Sequence, residues 1–158
     1  MKTSLLIIVL LSFLSPLTIF AQYNFPIADM QKLCGKNASD FETVVMGKDY
    51  SVQSKLSTAV MKVYTSDKAA LDGKKYTISR YQVPNAMARI TFSTTDKKFY
   101  LDVKAHLATN GLKFVKEEAR KFDGTDAACY NYATASSFHV ALCSYTTDVP
   151  WYVIEVHF

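Results

Sequence analysis

Apolar and polar positions change period several times along the chain, and each change predicts an element. Ile27, Met30, Leu33 and Cys34 recur at helical spacing, with Pro26 suited to a first helical position and Gly35 to an end, so the spacing predicts a short helix. A second helix is expected at once. Ser39 and Glu42 have capping-box spacing, Phe41, Val44 and Val45 form an apolar stripe, and Gly47 closes it. Strand composition follows at Tyr50 to Leu56, Val60 to Thr65, Lys75 to Val83 and Met87 to Ser93. In the last of these Ala88, Ile90 and Phe92 alternate with Arg89 and Thr91, as a half-buried strand requires. The pattern then restarts. Thr95-Asp96 opens a longer helix with Phe99, Val103 and Leu107 on one face, stopped by Asn110-Gly111. Four more strands are expected at Leu112 to Glu117, Ala127 to Ala133, Phe138 to Tyr145 and Trp151 to Phe158.

Sliding one half over the other by about 62 residues sets Tyr50 on Leu112, Val52 on Phe114, Tyr76 on Phe138 and Ile78 on Val140. The predicted class is therefore α+β, as two tandem helix-plus-four-strand repeats (22–94 and 95–158) that share one antiparallel sheet. A unit of roughly 60 residues is marginal alone, which favours joining the halves over a common core. Helices covering one face of that sheet leave the other face open.

Residues 1–21 stand outside this pattern. Lys2 gives a positive start, Leu5 to Leu14 is apolar apart from Ser12, and Ile19-Phe20-Ala21 ends in a small residue, the arrangement of a secretory signal peptide. Cleavage after Ala21 leaves a single domain from Gln22 to Phe158; the alternative is an uncleaved membrane anchor, since Ile19 is bulkier than the small residue preferred at its position. No later stretch reaches the roughly 20 apolar residues of a membrane span, so a secreted or periplasmic protein without a span is expected. An odd number of cysteines, Cys34, Cys129 and Cys143, then enters an oxidising compartment.

Cys129 and Cys143 lie equally far from Ser136. A three-residue loop at Ala135 to Ser137 sets them opposite each other and allows a disulfide; a two-residue loop sends them to opposite faces. The same choice places Tyr130 and Tyr132. The bridged register puts them beside Leu142 and Val140 on the helix-covered face, whereas the shorter loop puts them on the open one. Tyr145 and Trp151 fall on the open face in either case, so the bridge and a four-residue aromatic patch are rival expectations. Cys34 reads as a core filler.

Among 10 Tyr, 10 Phe and 1 Trp, the open-face tyrosines and tryptophan are the candidate binding residues, since they offer rigid area with a polar tip. His139, His157 and Glu155 share that face and form a weak candidate metal set, in competition with a plain solvated strand face. Cys143 beside His139 is a candidate thiol nucleophile only where no bridge forms. Gly-x-Ser-x-Gly and Gly-Lys-Ser/Thr motifs are absent from the sequence, and no cofactor is implied. The formal net charge of +4 is spread over Lys and Arg doublets, too little for nucleic-acid binding. Asn37-Ala38-Ser39 fits a glycosylation sequon and equally the polar approach to a helix.

Asp40-Phe41 through Val45 with Lys48-Asp49-Tyr50, and Asp96 to Leu101 with Gly111 to Val115, resemble passages of small secreted bacterial proteins of unknown function. That resemblance implies no chemistry. In architecture the tandem helix-then-four-strand arrangement is similar to the beta-lactamase inhibitory proteins, which implies a protein partner held on a concave sheet; no inhibitory motif carries over. Three functions follow as expectations. The first is a non-catalytic module that binds a protein or glycan through the open face. The second is a small metal- or thiol-dependent enzyme using His139, His157, Glu155 and Cys143. The third is a secreted inhibitor of a foreign enzyme.

Overall fold

Eight strands pair antiparallel in the computed structural model, in the order β1-β2-β3-β4-β8-β7-β6-β5. The structure describes residues 25–66, 73–82, 88–122, 124–145 and 147–158. The expected leader, residues 1–21, lies outside them. The elements run α1 (Ile27–Cys34), α2 (Ala38–Met46), β1 (Tyr50–Val52), β2 (Met61–Ser66), β3 (Tyr76–Tyr81), β4 (Arg89–Thr94), α3 (Lys97–Ala105), a 3-10 turn (Ala108–Asn110), β5 (Lys113–Phe122), β6 (Thr125–Ala133), β7 (His139–Tyr145) and β8 (Trp151–His157). Each run of four strands is a meander, and the two meet where β4 pairs β8.

Both halves feed one core. Ile27, Met30 and Leu33 of α1, Phe41 and Val45 of α2, and Phe99 and Val103 of α3 cluster with Tyr64, Ile78, Phe92, Leu142 and Ile154 of the sheet. Those sheet residues occupy one face, because side chains alternate and Tyr64, Ile78, Phe92, Ile154 and Leu142 are successive cross-strand partners. The helices therefore lie on that face.

Local chemistry departs from expectation in three places. Asn37, not Ser39, caps α2: its Oδ1 accepts from the Asp40 N–H at 2.9 Å, while its amide donates to Asp40 Oδ2 at 2.9 Å. β1 stops at Val52 because the chain turns there, with the Leu56 N–H and the Ser57 hydroxyl both donating to the Gln53 carbonyl. β5 runs five residues past Glu117. It is a sheet edge with charged side chains on both faces, so no apolar alternation marks its extent. Gly124 turns the chain into β6 with φ 81°, a conformation open to glycine.

Asp96 joins α3 to the sheet. Its carboxylate caps the helix by accepting from the Lys98 N–H, receives the Tyr76 hydroxyl at 2.7 Å and sits 3.1 Å from Lys74 Nζ. Burial pushes its pKa up, but the bonds from Tyr76 and Lys74 outweigh burial and hold it below the ordinary value. A carboxyl depressed in the folded state contributes stability above its unfolded pKa and loses it as pH falls through the folded one. Asp96→Asn should thus cost stability above about pH 4, and the gap to wild type should close in stronger acid. Urea midpoints from pH 7 to pH 2 measure this; a gap that stays constant with pH would rule it out.

The uncovered sheet face as a candidate binding site

The opposite sheet face carries the side chains that alternate with the core row. One transverse line of partners runs Ser51, Thr65, Thr77, Ser93, Val153, Cys143, Cys129 and Glu118. The next runs Val63, Ser79, Thr91, Glu155, Ala141, Asn131 and Lys116. The first meander thus offers half-buried hydroxyls: Thr65, Thr77, Ser79, Thr91 and Ser93.

The second meander is not bare, and here the expectation of an open flank needs correction. Ala127, Cys129, Ala141, Cys143 and Val153 form a second small core on this face, with Tyr145 packed against it. Cys129 and Cys143 are bonded, with Cα atoms 4.1 Å apart. The bridged register holds because the Thr134 N–H donates to the Phe138 carbonyl at 2.9 Å, closing a three-residue loop over 135–137 with Ser137 at φ 63°.

Charged side chains lean over this floor. Arg120 Nη1 lies 3.6 Å from Glu155 Oε1, although β6 and β7 separate their strands. At strand spacing their backbones stand ~14 Å apart, so both side chains must reach across the small residues between them. Arg120 also donates to Glu118 and, at 3.3 Å, to Asn131 Oδ1. Arg89 Nη1 flanks Glu155 Oε2 at 3.8 Å from the other side. Hydrogen bonds from Lys116 and Arg120 pull the Glu118 carboxyl down to about 2, so it stays ionised down to strong acid. Arg89, Glu118, Arg120 and Asn131 were not legible as a cluster, because no spacing rule links β4, β5, β6 and β8.

Tyr145 and Trp151 are cross-strand partners, both half-buried, at the end of this face. Tyr130 and Tyr132 are not with them. They pair with Leu142 and Val140 on the helix side, so the four-residue patch gives way to the bridge. Tyr132 packs on the main core with Phe114 edge-on at 5.8 Å, and Tyr130 lies beneath Lys104 of α3, whose Nζ is 5.1 Å from its ring centroid. Tyr130 and Tyr145 do line a common cleft of about 400 Å³ with Tyr100 and Tyr152. Burial, reinforced by Tyr132, Tyr130 and Tyr152, pushes the Tyr100 hydroxyl up to about 12.

His139 and His157 pair as expected and stack, with ring centroids 5.0 Å apart and planes 15° from parallel. Glu155 does not join them, being held between two guanidinium groups. Among the described residues no three His, Cys, Asp or Glu side chains converge as a metal would need. Cys143 is fully buried and bonded, so it offers no thiolate. His106 is exposed at the end of α3, its Nδ1 2.7 Å from the Asp102 carbonyl. No helix among the described residues is long and apolar enough to cross a membrane. No protein-family model, no curated protein and no solved structure matches the chain.

Proposed function

We propose that the protein is a non-catalytic binding module, secreted or periplasmic, that holds a protein partner on its uncovered sheet face. The observation that carries this reading is the makeup of that face. Half-buried Trp151 and Tyr145 stand at one end of a face that also carries Arg89, Arg120 and the hydroxyl rows, and among the described residues no helix joins the small core beside them. Tryptophan, tyrosine and arginine carry most binding energy at protein interfaces, and hydroxyl side chains around them supply hydrogen bonds. A broad face suits a protein surface better than a small molecule, which prefers an enclosed cleft.

The disulfide supports export, because such bonds persist in oxidising compartments, and residues 1–21 supply the matching leader. The two meanders meeting at their last strands also support reading 22–94 and 95–158 as pseudo-repeats. The inhibitor reading is one form of the same proposal and rests on architecture alone. The metal and thiol enzyme loses its support once Glu155 and Cys143 are engaged elsewhere.

The test is affinity capture from native culture fluid or envelope extract, using the protein and its Trp151→Ala variant as baits. A proteinaceous partner should be retained by the first and weakened at least ~tenfold on the second. Equal capture by both, or a glycan array that binds while no protein is captured, would overturn the proposal.

A further inference from the structure

Arg80 is the feature that neither the core nor the open face explains. It follows Tyr76 and Ile78 in the inward row of β3, and only 8% of its surface is exposed. A buried cation ordinarily has a carboxylate partner, because burying an unpaired charge costs several kcal/mol. Arg80 pairs with no carboxylate among the described residues. Nη2 donates to the Lys36 carbonyl at 3.2 Å, the guanidinium lies 5.5 Å from the Phe41 ring centroid, and Nε is buried with no acceptor. The acidic side chains of α2 are engaged elsewhere: Glu42 with Lys62 at 2.7 Å, and Asp40 with the Asn37 amide.

Arg80 borders a cleft of about 460 Å³, within the range that small ligands occupy. Lys36 and Asn37, where α2 begins, line the same cleft and bring it to the positive end of a nine-residue helix. Cys34, Ala88 and Phe158 form the apolar part of the wall. Burial pushes the Cys34 thiol up to about 12, so it stays neutral and acts as wall, not nucleophile.

We infer that this cleft takes a small organic carboxylate with an apolar body, its carboxylate paired with Arg80 and its body against Cys34, Ala88 and Phe158. The site lies on the helix side of the sheet, so it is independent of the proposed binding face and stands or falls separately. Guanidinium and carboxylate make a charge-assisted pair, and the ligand supplies a counter-charge that no described side chain gives Arg80.

An NMR titration of the ¹⁵N-labelled protein, as purified from its expressing host, tests this with benzoate as the probe. Saturable shifts are expected at the Gly35, Asn37 and Ala88 amides. Neutral benzamide and inorganic phosphate should each bind at least ~tenfold more weakly, the first for want of charge and the second for want of an apolar body. Arg80→Gln should abolish the shifts. Should that variant not fold, Lys36→Glu decides: a negative charge on the residue whose carbonyl holds Arg80 should abolish benzoate binding and raise Tm, whereas Lys36→Gln should not raise Tm. Benzamide or phosphate binding as tightly as benzoate would overturn the inference. So would benzoate affinity unchanged in Lys36→Glu or in folded Arg80→Gln, or no saturable shift at any soluble concentration.

Discussion

Replacing Cys129 and Cys143 together by alanine is expected to lower stability by about 3 kcal/mol, the loop-entropy value for a bridge closing some 15 residues. The two cysteines are 14 positions apart in sequence, on partners of one hairpin, and both are fully buried. For a chain of this length the loss corresponds to a Tm lower by ~10 °C. The bridge also forms the centre of the second small core, so the paired alanines loosen Ala141 and Val153 at the same time. Differential scanning calorimetry of the double variant measures the effect, and an unchanged Tm would show that the hairpin is held by its backbone alone. Intact mass with and without reductant should show one bridge. Alkylation should leave Cys34 untouched until denaturant exposes it, because its thiol is buried and pushed up to about 12.

That bridge shows where sequence reasoning stopped. Equal spacing about Ser136 permitted it, but loop length decided it, and Ser137 takes a left-handed conformation usually signalled by glycine or asparagine. The parity of the whole β6 strand, and with it the burial of Tyr130 and Tyr132, hung on that one residue. Where alternation was strong, as in Ala88, Ile90 and Phe92, the strand and its inward face were legible, and all three residues are buried. On β5, Lys116, Glu117, Glu118, Arg120 and Lys121 alternate in nothing, so its extent was hidden. At α2, Ser39 and Glu42 have the right spacing for a cap, yet Asn37 takes the role two residues earlier; both side chains are good caps, and spacing alone could not choose.

The candidate sites divide the same way. Trp151 opposite Tyr145 and His139 opposite His157 follow from strand parity and a short turn. The Arg120–Glu155 contact spans two intervening strands, and only the tertiary structure brings it about. Arg80 carries a local signal in the sequence: Tyr76, Ile78 and Arg80 share one parity, and a charged residue on an inward row calls for a partner.

Ile154→Ala should cost about 2–5 kcal/mol, as deletion of a fully buried aliphatic side chain does. Ile154 sits on β8 between Phe92 of β4 and Leu142 of β7, at the one seam where the two meanders meet in the sheet order. Its position makes the variant a test of how the fold coheres. The helices of both halves pack on a single cluster, so neither meander has a separate main core to retain when the seam loosens. Wild type and variant are therefore expected to unfold in one transition, with calorimetric and van't Hoff enthalpies equal. Val115→Ala, at an exposed edge position on β5, should stay within about 0.5 kcal/mol of wild type. A variant that melted in two steps would mean that each meander stands by itself. The uncovered face would then be two separate surfaces, and Trp151 could not share one partner with the hydroxyl rows of the first half.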